Sequence, residues 1–579
     1  METLREVVES FTSKPEKTAS SWKTGSISYG ELYELIQRYA SGISFFTEQG
    51  DRIALISGNR MEYFAISAAA YISGRITVPR GEVHEPEELE YVLNHSQSKI
   101  AIVEDEEILS KMDTIHKGSV KQIISLKNIK DRKDIIPVQE LEMNNYNHIP
   151  DVNPETVVSI FYTSGTTGKP KGVMLTHGNI AQNVDAVLRR IYISEKKDKA
   201  ISILPPWHTF EWTVEWALKQ SFVEMYYSSI QSVQKDMVEQ KPTIIASVPR
   251  LWEKVHERII NSIEEESTLK KHLFYRGLEA SLKDKKGIPD YAAAYLYKKL
   301  VVPKIRERFG GKLNKAVSGG GPLNKEVDEF FRTISINILE GYGLTETSPI
   351  ISGRSMEDNV LQTVGKPLDN IKVRIRDPET GELLSSDETG LIEVKGPSVM
   401  KGYYRDFKAT QEVIRDGWFS TGDLGMLTED GYLKVTGRYK DIIVTSSGEN
   451  ISPSKLEKEL ENSPYIEKGI VLSHDDKELG FLAVLDANRL KKFCDEQEVY
   501  YYDSIYETFK QPEIEKLLRE EIKIYNNNFK THEKIKHFYV LDQLQEGKEL
   551  NHLLKLMRYK IPEIHEDKLK QMKPVYKQS

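Results

Sequence analysis

The densest concentration of chemically useful residues is Tyr162-Thr163-Ser164-Gly165-Thr166-Thr167-Gly168-Lys169-Pro170-Lys171-Gly172. Three glycines let the backbone approach a ligand closely. Four hydroxyls and the free N–H groups can surround phosphate oxygens, and two lysines supply counter-charge. These residue types suit a phosphate loop. It is not a Walker loop, because Gly165 and Lys169 are too close together and Pro170 stands where Ser or Thr would meet magnesium. A generic Gly/Ser/Thr loop is more often a surface turn, and the coincidence of eleven positions reverses that reading.

Such a loop needs a rigid element behind it. Val157 to Tyr162 is an apolar, β-branched run of strand length that feeds directly into it. Upstream, Gly30 to Ile43 has helical spacing, Arg52 to Ile56 reads as a strand, and an Ala-rich helix begins near Met61. This alternation predicts a layered α/β fold with buried parallel strands. Residues from about Leu251 to Phe309 read as long, charged helices. From about 371 to 436 the texture changes to short strands and turns, forming a β-rich subdomain. Asp430-Gly431 is placed at a hairpin in which both residues take positive φ. A helix is expected after Ser452 as cap and Pro453 in the first turn, with a helical excursion near Pro512 to Tyr525. The expected division is an N-terminal domain over 1–436, a connector at 437–441, and a smaller α/β domain over 442–579.

The bulk numbers exclude several classes. At 579 residues, more than one domain is expected. The chain has 39% AVILMFWYC and a mean hydropathy of −0.48, and its small-apolar stretch Tyr63 to Ser73 is far below the roughly 20 residues of a spanning helix. No secretory leader is visible in residues 1–23. One cysteine, Cys494, excludes an internal disulfide and fits a reducing, cytoplasmic setting. Eighty Lys and Arg against 88 Asp and Glu leave −8, which argues against a nucleic-acid-binding surface over the whole chain and leaves room for local basic patches.

Further segments fall in an order that makes the loop part of a larger pattern: Ser318-Gly319-Gly320-Gly321-Pro322-Leu323, Glu340-Gly341-Tyr342-Gly343-Leu344-Thr345-Glu346-Thr347, and Ser420-Thr421-Gly422-Asp423-Leu424-Gly425. Together with the phosphate loop, over nearly the whole chain, they resemble the signatures of the adenylate-forming acyl-CoA synthetase superfamily. The resemblance implies a large N-terminal domain and a small mobile C-terminal domain that turns about Asp441 between two half-reactions. It implies nucleotide contacts from Thr163, Ser164, Gly165, Thr166, Thr167, Gly168, Lys169 and Lys171, and from Gly319, Gly320, Gly321 and Pro322. Glu340, Gly341, Tyr342 and Gly343 complete the adenine side, with Tyr342 stacked on the base. Thr345 would touch the α-phosphate, Glu346 would hold Mg²⁺, Asp423 would bind the ribose hydroxyls, and Arg438 would add a ribose or phosphate contact. A late lysine normally assists adenylation. Lys555 is the candidate, although Asn551-His552 replaces the usual lead-in and Lys548 and Lys560 are neighbouring alternatives.

Leu204-Pro205-Pro206-Trp207-His208-Thr209-Phe210-Glu211 resembles the long-chain branch, where an aromatic and a histidine border the acyl channel. On that reading Trp207 gates the channel, and His208 orients the carboxylate or forms wall. An interior tryptophan and a hydrogen-bonded buried histidine explain the pair equally well. Ala246 to Glu253 and Gly448 to Pro453 resemble the same branch. The resemblance implies ATP, Mg²⁺ and coenzyme A with a long-chain fatty acid as substrate, no nucleic acid, and membrane contact that is at most peripheral. The alternatives are loading of an acyl carrier protein and, as a different class, a non-catalytic lipid- or nucleotide-binding member, which should have lost Glu346, Asp423 or the loop lysines.

Overall fold

Gly30 to Ile43, Arg52 to Ile56, the Ala-rich segment from Met61 and Val157 to Tyr162 each fold as the kind of element their pattern predicts. The computed structural model describes residues 1–81, 85–129, 132–143, 150–163, 169–444, 450–474, 478–545, 547–550 and 556–576. In chain order the strands are β1 (Thr18–Trp22), β2 (Gly25–Ser28), β3 (Arg52–Ile56), β4 (Ile76–Arg80), β5 (Ser98–Val103), β6 (Gln122–Ser125), β7 (Ile135–Pro137) and β8 (Val157–Thr163). They continue with β9 (Lys171–Thr176), β10 (Lys199–Ser202), β11 (Glu224–Tyr227), β12 (Ile244–Ser247), β13 (Lys315–Ser318), β14 (Asn337–Gly343), β15 (Ile350–Gly353) and β16 (Lys366–Pro367).

Two large sheets result. The first runs from the short strand Gly402–Tyr403 through β9, β8, β4, β3, β5 and β6 to β7. Its strands from β8 to β7 are parallel, and β9 returns antiparallel to β8. The second is ordered β16-β15-β14-β13-β12-β10-β11-β1-β2 and is parallel from β14 to β1. Parallel strands need crossovers, and helices on the faces supply them.

The Ala-rich segment forms helix Met61–Ile72, buried at every position except Glu62. A helix that is apolar on every face is one enclosed on all sides. It meets helix Thr209–Gln220 of the second sheet through Phe64 against Trp216, centroids 4.9 Å apart, and Tyr71 edge-on to Trp212 at 5.7 Å. Helix Tyr29–Phe46 starts with a capping box between Ser28 and Glu31 and buries Leu32, Leu35, Ile36, Tyr39 and Ile43, a 3–4 spacing. The charged stretch after β12 folds as helices Pro249–Glu264, Thr268–Leu282, Ile288–Leu296 and Val302–Glu307, with a π-helical turn at Tyr297–Val301.

Contacts divide the chain into two compact units: Met1–Arg374, Glu393–Thr421 and Leu427–Lys434 form one; Ile375–Ile392, Gly422–Met426 and Val435–Ser579 form the other. In the second, strands Ile466–His474, Glu478–Leu485, Ile535–Leu541 and Lys573–Pro574 lie side by side in that order. Glu478–Leu485 and Ile535–Leu541 are parallel, joined by a helical crossover that includes Pro512–Asn526. Cys494 is buried in the core beside Leu456, Phe481, Leu490 and Phe538.

Two local expectations are corrected. At 428–432 only Gly431 has positive φ, +81°, and its N–H donates to Thr428 O at 2.8 Å. The loop is therefore one residue longer than a two-residue hairpin turn and has glycine alone in the left-handed position. Ser452 precedes helix Pro453–Leu460 but does not cap it. Its hydroxyl donates instead to Thr436 O at 2.9 Å, and proline at the first position leaves one fewer N–H to satisfy.

Candidate active site

Four adjacent parallel strands, β10, β12, β13 and β14, point the same way. Ser247 pairs with Ser318 and Ser318 with Glu340, so β12 and β13 end level with Glu340 and β14 runs on from there to Gly343. The segments that follow, 203–211, 248–253, 319–323 and 341–347, leave from one edge of the sheet. These are the motifs singled out from sequence, scattered over more than 140 residues of chain. The crevice beyond the carboxyl ends of parallel strands is where open α/β sheets bind ligands.

The glycine loop after β13 is fixed from several sides. Gly319 N–H donates to Ser247 O at 3.2 Å, and Gly320 has φ +84°. A Cβ on Gly319 would stand 3.3 Å from the Phe210 ring. Glu340, expected among the nucleotide contacts, turns its carboxylate inward. One oxygen accepts Leu323 N–H at 3.2 Å, and the other accepts the Arg354 guanidinium at 2.7 Å. Arg354 also pairs with Asp328 and donates to Thr363 O at 2.6 Å. Burial raises the Asp328 carboxyl above its usual range, against the opposing pull of Arg354. The Glu340 side chain thus holds the glycine loop to β14.

The end of β14 carries the most functional groups. A Cβ on Gly343 would collide with Pro349 O, which explains the glycine. Thr345 Oγ1 lies 3.4 Å from Thr209 Oγ1, joining this motif to the segment that carries Trp207 and His208. Glu346 Oε1 accepts the Tyr403 hydroxyl at 3.0 Å, and Lys171 Nζ lies 5.0 Å from the centroid of the same ring. Burial, then the Glu346 charge, pushes the Tyr403 hydroxyl upward, so it stays a donor.

Thr163 ends β8 and pairs with Lys171 at the start of β9. The candidate phosphate loop therefore joins two antiparallel strands. Ser164, Gly165, Thr166, Thr167 and Gly168 lie outside the described residues. At its edges, Lys169 Nζ stands 5.7 Å from the Tyr91 ring centroid, while Tyr162 Oη and His95 Nδ1 share a 2.8 Å hydrogen bond. Gly321 and Pro322 complete the glycine loop, and Gly341 and Tyr342 line the half-buried part of β14.

Trp207 and His208 are half-buried with their rings 4.4 Å apart, and Trp207 covers Gly81, where any side chain would collide with the indole. The helix that follows buries Glu211, Glu215 and Lys219 among Trp212 and Trp216. Burial pushes the Glu211 carboxyl up to about 8, keeping it protonated near neutrality, and its Oε1 accepts the hydroxyl of Ser202 at the end of β10. Ser202 Oγ also accepts Asn59 Nδ2 at 2.8 Å, which ties the base of this segment to the first sheet.

In the second unit, Asp423 is buried and Arg438 Nε lies 3.3 Å from its Oδ1. Asp441 Oδ2 is 3.4 Å from Arg558 Nε, and Arg558 also pairs with the buried Glu457. Lys555 lies outside the described residues, between Leu550 and Leu556, which form an antiparallel bridge. Among the described residues no group of three or more His, Cys, Asp or Glu could hold a metal by itself. A single carboxylate such as Glu346 matches the sparse oxygen donation with which Mg²⁺ is held when phosphates supply the rest.

Residues 7–404 match the family model described as AMP-binding enzyme. The chain belongs to the AMP-binding enzyme family. As an AMP-binding enzyme it is an acyl-adenylate-forming ligase. It is 30% identical to a chloroplastic long-chain-fatty-acid–[acyl-carrier-protein] ligase of Arabidopsis thaliana, over 79% of this chain and 72% of that protein. It is 32% identical to the long-chain-fatty-acid–CoA ligase FadD15 of Mycobacterium bovis, over 77% of this chain and 74% of the relative. The fold matches an anthranilate CoA ligase solved with anthranoyl-AMP, TM-score 0.75 at 15% identity, over 97% of each chain.

Within this AMP-binding enzyme, sequence reasoning missed the supports of its motifs: Tyr403 between Lys171 and Glu346, Thr209 against Thr345, and Arg354 behind Glu340. Each lies outside its partner's motif, so no local pattern exposes it. One signal was available, since Glu211, Glu215 and Lys219 recur at four-residue spacing between tryptophans, a pattern that buries charge. Arg354 is also the best stability probe. Arg354→Leu leaves two buried carboxylates without their cation and should cost about 3–5 kcal/mol in denaturant unfolding. Unchanged stability would show that the network contributes nothing.

Proposed function

We propose that this AMP-binding enzyme joins a long-chain fatty acid to coenzyme A, through an acyl-adenylate, with release of AMP and pyrophosphate. The observation that carries it is the convergence of the glycine loop, the β14 motif and the Trp207-His208 segment at one sheet edge, with Thr345 touching Thr209. The contact supports the reading, since Thr345 is the residue proposed to touch the α-phosphate and Thr209 belongs to the segment proposed to meet the acid.

In the first step a carboxylate oxygen attacks the α-phosphorus, the bond to the bridging oxygen breaks, and pyrophosphate leaves. Two anions meet, so the cost falls only where cations and donors stand ready. Lys169, Lys171 and Thr163 with the rest of the loop neutralise the phosphates, Thr345 donates to the α-phosphate, and Tyr342 stacks on adenine. Asp423 accepts both ribose hydroxyls, with Arg438 beside it. Mg²⁺, when bound at Glu346, supplies further charge neutralisation. In the second step the thiol sulfur attacks the acyl carbon and AMP leaves. Residues 437–441 serve as the pivot on which residues 442–579 turn between the two steps. Trp207 gates the acyl channel and His208 orients the carboxylate.

Both acceptor types occur among the relatives, so a second reading is transfer to the phosphopantetheine of an acyl carrier protein. Pyrophosphate exchange with a panel of acids tests the first step without assuming an acceptor. Exchange should be strongest with long-chain acids, and ADP with phosphate as products would overturn the proposal. Parallel thioester assays with CoA and with carrier protein then decide the acceptor.

A further inference from the structure

The helices between residues 268 and 307 differ from the rest of the molecule. They hold ten Lys and Arg against four Asp and Glu, a net +6 in a chain of −8, so the remainder carries −14. Yet their outer surface is apolar as well as basic. Helix Ile288–Leu296 buries no residue. Ile288 is 87% exposed, Leu269 79%, Tyr291 65% and Tyr295 61%, with Leu296 and Leu300 also exposed. The inner side is firmly held: Phe274 and Tyr297 are fully buried in a core that also contains Trp252 and Phe330. A side chain on Gly277 would collide with Tyr297. The outward apolar residues are therefore not a loosely folded segment but the free face of an anchored one.

We propose that this face docks on the surface of an anionic lipid bilayer. Exposed isoleucine, leucine and tyrosine interspersed with long basic side chains is the composition of an interfacial helix. Tyrosine favours the headgroup level because its ring is apolar and its hydroxyl polar. The bases stay in excess when the acids of the preceding turn, Glu264, Glu265 and Glu266, are counted, ten against seven over 264–307; Glu266 and Glu264 engage Lys270 and Lys271, and Asp290 and Glu279 engage Arg276 and Lys283. Lys285, Lys298 and Lys304 are exposed on the same run of helices. A second copy is disfavoured as occupant, because two net-basic faces repel. Among the described residues no helix is long and apolar enough to cross a membrane, so contact here is by apposition. Leu204, which opens the segment leading to Trp207, packs against the same core as Phe274 and Tyr297. The docked face and the proposed acid-binding segment thus share a rigid support. The docking does not require the long-chain reading; it would give that substrate a source.

The test is flotation of the full-length chain with vesicles of phosphatidylcholine alone and of phosphatidylcholine with phosphatidylglycerol, without substrates. Binding to the anionic vesicles is expected, with weak or no binding to the neutral ones. Each lysine near an anionic surface contributes about fivefold, so Lys285→Gln with Lys298→Gln should weaken binding about thirtyfold. Ile288→Ser with Tyr291→Ser should weaken it by roughly tenfold or more. All four positions are exposed, and unchanged circular dichroism and pyrophosphate exchange with a water-soluble acid would show intact variants. No flotation of the unmodified chain, or flotation unaffected by both double variants, overturns the proposal. A change in sedimentation coefficient caused by Ile288→Ser and Tyr291→Ser, without vesicle binding, would assign the face to a protein contact instead. Because vesicle binding and exchange are separate readouts, failure of one leaves the other standing.

Discussion

Lys555→Ala is expected to slow pyrophosphate exchange by a factor of about 10²–10³ while leaving conversion of preformed acyl-adenylate to thioester near the unmodified rate. The magnitude is that of removing one positioned donor from developing charge. The selectivity follows from timing, because the ammonium offsets negative charge on the α-phosphate only while the carboxylate attacks. Lys548→Ala and Lys560→Ala serve as register controls. Lys548 is exposed, and Lys560 is half-buried in the short turn after Arg558. If either control shows the selective loss and Lys555→Ala does not, the Asn551-His552 substitution has displaced the motif. The proposed ligase chemistry would survive that outcome, and the assignment of Lys555 would not.

Asp441→Pro should do the reverse. Exchange should persist, whereas thioester formation should fall by about two orders of magnitude, the scale set by misplacing reacting groups by an ångström or so. Proline fixes φ, and a pivot cannot turn about a fixed torsion. The Asp441 carboxylate also faces Arg558, so the substitution removes a contact as well as a freedom. Asp441→Ala separates the two, since it loses the contact and keeps the torsion. Near-normal thioester formation in Asp441→Ala with loss in Asp441→Pro supports the pivot. Equal loss of both half-reactions in Asp441→Pro counts against it.

The layered fold was legible because its strands are pure. Arg52–Ile56 and Val157–Thr163 are β-branched and apolar enough to read unaided, and the Ala-rich helix announces its own burial. The glycines of the candidate site were legible for a related reason, since Gly319, Gly320 and Gly343 stand where a side chain meets a ring, a backbone carbonyl or a left-handed φ. Side-chain partnership was not legible. Glu340 was read as part of a ligand-contacting motif, yet its carboxylate is spent on Arg354 and Leu323 N–H, contacts that depend on where two strands bring distant residues. Ser452 shows the same ambiguity at short range, because a hydroxyl before a helix can cap it or bond elsewhere, and the nearby Thr436 carbonyl decides.

One consequence follows from the way β8 turns back into β9. A phosphate loop that opens a helix borrows about half a unit charge from the aligned peptide dipoles behind it. This loop leads into a strand, whose peptide dipoles alternate and cancel. Beyond the loop's own N–H groups and hydroxyls, its attraction for polyphosphate would therefore rest on side-chain ammonium groups, chiefly Lys169 and Lys171, one near Tyr91 and the other near Tyr403. Point charges on flexible stems are open to screening by ions in a way that a buried dipole is not. Nucleotide capture by this fold should accordingly weaken with ionic strength, making the salt content of its surroundings a direct control on saturation.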